Sequence, residues 1–140
     1  MDNYVKLLTV ISVLIFLLMI PMAMLTGVRE FIPDLVFFII ITLFYYWTYD
    51  TFGMNMPIFT MLIIGHILHA AGIFGWYATS PVPIQWDHIT HFFGAFPYAL
   101  LFFRFFGQWT DSKWFTKKNF LLLLAVFLAA TGVGAGEAGR

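Results

Sequence analysis

The chain has 140 residues, 61% of them hydrophobic and only 10% charged, with a formal net charge of zero. Soluble domains average about 25% charged residues, so an ordinary globular domain is excluded, and the zero net charge leaves no electrostatic footprint for nucleic acid. Cysteine is absent, which excludes disulfides, thiolate nucleophiles, iron–sulfur ligation and CxxC zinc sites. The length suits one integral membrane domain over 1–140 whose main partner is the lipid bilayer. The 18 phenylalanines suit a lipid-facing surface, and the 5 tryptophans and 6 tyrosines suit interfacial belts.

A crossing helix needs roughly 20 mainly apolar residues. Residues 7–25 carry no charge and give the first span, with Pro21 as a candidate kink. The start is barely basic, Asp2 standing against Lys6, and no A-x-A site follows, so this span reads as a retained helix rather than a cleaved signal. The second span, 31–49, is bounded by Asp34 and Asp50. From Thr51 to Trp86 there is no Asp, Glu, Lys or Arg, and Pro81 and Pro83 mark where helix stops. A third span over 57–77 fits, with Asn55 as N-cap and Pro57 in the first turn. The fourth covers 87–106, with Arg104 able to snorkel outward. The fifth covers 119–135, after Lys117 and Lys118. The expected fold is all-α, a polytopic membrane bundle of about five helices.

The bias of Lys and Arg in short loops sets orientation. With the N-terminus in the cytoplasm, Lys6, Arg104, Lys113, Lys117 and Lys118 lie inside, and only Arg29 and Arg140 lie outside. The expectation is a multi-pass cell-membrane protein with its C-terminus outside. Asp87 and the 78–86 loop then lie on the outer face.

The four histidines form two i, i+3 pairs, His66/His69 and His88/His91, the second preceded by Asp87. Ionisable groups at membrane depth are costly and mark function by default. At about 100° per residue, Asp87, His88 and His91 share one helix face, continued by Gly94, Ala95 and Tyr98. On helix three, Gly65, His69 and Gly72 form a similar stripe. His69 lies roughly 12 Å below Tyr77 in an unbroken helix, whereas His91 lies roughly 6 Å below Asp87. The two levels match better if Gly72 and Gly75 end helix three early.

Three readings of this constellation stay open. In the first, His69, Asp87 and His91, with His66 or His88 as a fourth member, hold a zinc-like divalent metal, as in a hydrolase-like membrane enzyme. In the second, the histidines relay protons in a proton- or ion-coupled transport component. In the third, they only fasten helices three and four together. No HExxH, GxSxG or P-loop pattern is present. Haem between two histidine-bearing helices has no specific feature behind it.

The stretch from His69 through Gly72, Gly75, Trp76, Tyr77, Pro81 and Pro83, followed by Asp87-His88-Ile89-Thr90-His91-Phe92-Phe93-Gly94, resembles the uncharacterised YjdF-like multi-pass inner-membrane proteins. In that family a histidine-started helix ends in a Tyr-x-x-x-Pro-like turn before Tyr-Asp-Lys/Arg-x-x-His-Phe. Here Trp86 stands for the tyrosine and His88 for the basic residue. The likeness covers roughly residues 60–105 and implies roles for His69, Asp87, His91 and Phe92. Family members continue with a Glu-x-x-Glu helix, whose first glutamate Glu137 would match, then an acidic segment. Relative to them the chain reads as a shortened copy or a fragment, and the resemblance then implies that no metal is held stoichiometrically. A weaker likeness to VanZ-like membrane proteins rests on their Asp-Lys-x-x-His pattern. Neither resemblance implies a reaction, and a homo-oligomer or membrane partner is compatible with both.

Overall fold

A computed structural model describes residues 3–107, 116, 117 and 119–121. Helix α1 spans Asn3–Thr26 and continues through Pro21. A 3-10 turn, Arg29–Phe31, leads into α2, Ile32–Thr48. Helix α3 spans Met56–Ala71 and continues into a π-helical turn, Gly72–Trp76. Helix α4 spans Trp86–Gly107. The described residues contain no strand.

Three of these helical stretches are long and apolar enough to cross a membrane: Asn3–Thr26, Arg29–Thr48 and Met56–Trp76. The 22 residues of α4 give about 33 Å at 1.5 Å each, enough to span. Its polar residues keep it out of that apolar set. Of the expected fifth span, only 119–121 are described, so 122–135 lie outside the described residues, as does Glu137.

Local chemistry explains the boundaries. Asn55 accepts the amide of Ile58 at 3.0 Å, capping α3 ahead of Pro57. Within α1, Thr9, Ser12 and Thr26 turn their hydroxyls back to the carbonyls of Val5, Leu8 and Met22. A hydroxyl satisfied in this way can face an apolar neighbour without leaving a bare donor. The outward face of α1 is apolar, with Leu7, Val10, Leu14 and Leu18 all exposed. Such a surface is a liability in water and ordinary in lipid.

Packing divides into two clusters, one at each end of the bundle. At the end holding the N-terminus, Val5, Tyr45, Ile58, Phe59, Leu62 and Leu101 are buried together. At the other end, Phe16, Ala23, Leu35, Phe38, Ala70 and Ile73 close the core. Helices in lipid gain little from the hydrophobic effect against one another and rely on close contact at small residues. Gly65 is such a contact, because a Cβ added there would sit 2.6 Å from the carbonyl oxygen of Phe93 on α4. That approach locks α3 against α4 and fixes the register of the two histidine-bearing helices.

Candidate functional site at the α3–α4 mouth

The regular path of α3 ends at Ala71, earlier than the expected span end at 77. Within the π-turn, Gly75 adopts φ +115°, a region that favours glycine. The chain then folds Tyr77 back over α3. A Cβ at Gly72 would lie 2.2 Å from Cε2 of the Tyr77 ring, so the missing side chain of Gly72 makes the seat. The short connection to α4 is pinned by Trp86, whose indole N–H donates to the carbonyl of Leu68 at 2.9 Å. The Trp76 and Trp86 rings meet edge-on at 4.5 Å.

The result is an open cleft of about 570 Å³ lined by His69, Tyr77, Asp87, Thr90, His91, Gly94 and Ala95. His69, Asp87 and His91, the three residues expected to share a site, do share this cleft. It lies at the bundle end opposite the start of α1. A smaller space of about 190 Å³ continues inward past Phe38, His66, Phe93 and Tyr98, sharing His69, Thr90 and Gly94 with the outer cleft. His66 thus lies below the cleft rather than in its wall. His88 does not line the cleft, and its buried Nδ1 has no hydrogen-bond partner among the described residues.

Hydrogen bonds fix which imidazole nitrogen carries the proton. His91 Nδ1 lies 2.8 Å from the carbonyl of Asp87, and His66 Nδ1 lies 2.8 Å from that of Leu62. A carbonyl only accepts, so both histidines donate from Nδ1 and leave Nε2 bare. His69 follows by a longer chain of logic. Thr90 donates to the Asp87 carbonyl at 2.9 Å, so it accepts from Tyr77 at 3.3 Å. Tyr77 has one proton and spends it there, so at 2.6 Å it accepts from Nδ1 of His69. All three rings therefore present an unprotonated Nε2 when neutral. Nδ1 bonded to a carbonyl or oxygen is the usual support for a metal-bound imidazole, and a bare Nε2 equally suits a proton acceptor.

Asp87 reaches His91 with its side chain as well, Oδ1 standing 3.1 Å from Nδ1, and both side chains are largely exposed. Asp34, in the first turn of α2, and Asp87 both act electrostatically on His69. Two helices, α2 and α4, therefore bring charge to one ring on a third. The Tyr77 phenol, just beyond α3, has its pKa raised, chiefly by burial, and the charge of Asp87 adds to the rise. It stays protonated at neutral pH and keeps the chain from His69 to Asp87 intact. Phe38 packs against both His66 and His69, at ring distances of 5.1 and 5.5 Å. Among the described residues, no group of three or more His, Asp or Glu stands at metal-holding spacing.

Sequence reasoning did not find Tyr77 or Thr90 as members of this site, nor Asp34 as a charge acting on His69. Thr90 follows Asp87 by three residues, a signal in plain view. Asp34 was visible only as the boundary of a span. Tyr77 was visible only as the tyrosine of the Tyr-x-x-x-Pro turn, because a continuous helix carries it away from His69. No protein-family model, curated protein or solved structure matches the chain.

Proposed function

We propose that this chain is a multi-pass membrane protein of the YjdF-like type, crossing five times with its N-terminus in the cytoplasm. Its functional centre is the outer-face cleft between α3 and α4, where His69, Asp87 and His91 take up a zinc-like divalent cation. His66 stands one turn below as a further donor. The observation that carries this reading is the shared cleft wall, to which separate helices bring imidazoles with bare Nε2 atoms. The side chains of Asp87 and His91 are largely exposed, which leaves room for them to turn toward His69 as a cation arrives. Three such ligands with an open position also suit activation of a water molecule.

The rival reading is a packing device that only fastens α3 to α4. It is favoured by the spacing of these side chains, which is wider than a bound metal requires among the described residues. Metal analysis of purified protein beside His91→Ala separates the two. Stoichiometric zinc, lost in the variant and falling below pH about 6 where imidazole is protonated, supports the cation site. No metal at any pH, with a variant that is merely less stable, overturns it in favour of packing.

A further inference from the structure

At the opposite end of the bundle a second recess, about 390 Å³, opens between α3, α4 and the helical start near Lys117. This size is within the range of about 300–1,000 Å³ typical of small-molecule sites. Its two ends differ in chemistry. Arg104, Lys117, Asn55 and Thr116 form one part of the lining, with Phe103 beside Arg104, and Ile58, Met61, Phe96 and Leu100 form the other. On α4 the change runs along the helix axis. Phe96 lies eight residues from Arg104, or about 12 Å. On α3, Met61 lies six residues from Asn55, or about 9 Å. Phe120 packs against Phe96 with ring centres 6.4 Å apart, closing the apolar side.

The polar groups are partly committed. Asn55 caps α3 through Ile58, and Thr116 accepts the amide of Asn119 at 3.2 Å. Arg104 and Lys117 are not: neither forms an ion pair with a described residue. Among the described residues no carboxylate pairs with either cation, so the lining of the apolar recess carries positive charge that an anion would neutralise. We propose that this recess binds an anionic phospholipid, its phosphate between Arg104 and Lys117 and one acyl chain lying along Ile58, Met61, Phe96 and Leu100. A free phosphate would leave the apolar wall uncovered, and a neutral lipid would leave the cations unpaired. A partner helix, about 10 Å across, is too wide for a recess of this volume. Basic pockets between membrane helices are a known form of anionic-lipid recognition.

The test uses the full chain purified in neutral detergent. It is mixed with equal amounts of phosphatidylglycerol and phosphatidylcholine of matched chains, and the co-purifying lipid is read by native mass spectrometry. Each cation near a membrane surface strengthens anion attraction about fivefold, so the parent should enrich phosphatidylglycerol by tenfold or more. Arg104→Gln with Lys117→Gln should bring the ratio to about one, whereas Arg104→Lys with Lys117→Arg keeps it. Leu100→Trp, which fills the recess, should reduce retained phosphatidylglycerol severalfold. Equal retention of both lipids by the parent overturns the proposal, as does a doubly neutralised chain that keeps the parent's ratio. Displacement of the lipid by inorganic phosphate, with Leu100→Trp having no effect, would reduce the site to a simple anion site. If the neutralised chain aggregates, the charge-conserving and Leu100→Trp variants decide the matter.

Discussion

The hydroxyl of Tyr77 lies 2.6 Å from Nδ1 of His69, eight residues earlier in the chain. In a continuous α-helix those residues would be separated by about 12 Å along the axis. The π-turn at Gly72–Trp76 removes that separation, and with it comes the hydrogen-bonded chain that sets the tautomer of His69. The geometry of the site therefore depends on a break in α3.

Gly72 is the residue that tolerates this fold-back. Gly72→Ala would drive a methyl into the Tyr77 ring and should lower stability by about 1–3 kcal/mol, the usual range for overpacking. In a Tyr77→Ala background the same substitution should cost far less, because the obstructing ring is gone. Thermal unfolding of the four proteins of this cycle measures the coupling. Equal costs in both backgrounds would show that Tyr77 does not sit on Gly72.

The two glycines at the α3–α4 contact should behave in opposite ways. A Cβ at Gly65 meets the Phe93 backbone, which has no flexible end to move aside. Gly65→Ala should therefore push the helices apart and destabilise the protein by at least about 1–3 kcal/mol. A Cβ at Gly94 meets no described atom within 4 Å. Gly94→Ala should be neutral, or stabilising by up to about 1 kcal/mol through helix propensity. Unfolding midpoints in one detergent, compared side by side, check both.

The helices were legible because lipid imposes a long apolar run, and Asn55, Pro57 and Pro81 mark its interruptions by local rules. That His69, Asp87 and His91 line one cleft was legible for the same reason, since a short connection forces α3 and α4 to be neighbours. The early end of α3 was legible only as a condition on matching depths at Gly72 and Gly75. What could not be read was side-chain choice across helices. The aim of the Tyr77 ring depends on a backbone turn with no strict sequence code. The reach of Asp34 to His69 depends on how α2 packs beside α3. His88 illustrates the converse: helical spacing groups it with His91, yet the rotation of α4 against α3 sends Thr90 into the cleft instead.

Tyr77 should impose an alkaline limit on stability. Its folded-state pKa is raised above the ordinary value of about 10, so the folded chain holds the phenolic proton more tightly than the unfolded one. The contribution is complete below pH about 10 and is lost as pH rises through the folded value. The unfolding midpoint of the parent should fall more steeply above pH 10 than that of Tyr77→Phe. Parallel curves would mean that the phenol makes no such contribution.

Asp34 offers a way to separate cation binding from packing. It is exposed at the start of α2 and acts on His69 through its charge, with no hydrogen bond to α3 among the described contacts. A negative charge near a cation site raises affinity without ligating, and the effect weakens with salt because the Debye length is only about 8 Å at physiological ionic strength. Asp34→Asn should therefore lower zinc affinity severalfold at low salt, lower it less at 0.5 M salt, and leave the unfolding midpoint of the metal-free protein unchanged. Titration calorimetry at the two salt concentrations, with thermal unfolding of the metal-free protein as companion, reads all three quantities. If affinity is unchanged, Asp34 has no part in the site. If the metal-free protein is destabilised instead, the carboxylate holds α2 against α3, and the cluster is a packing device.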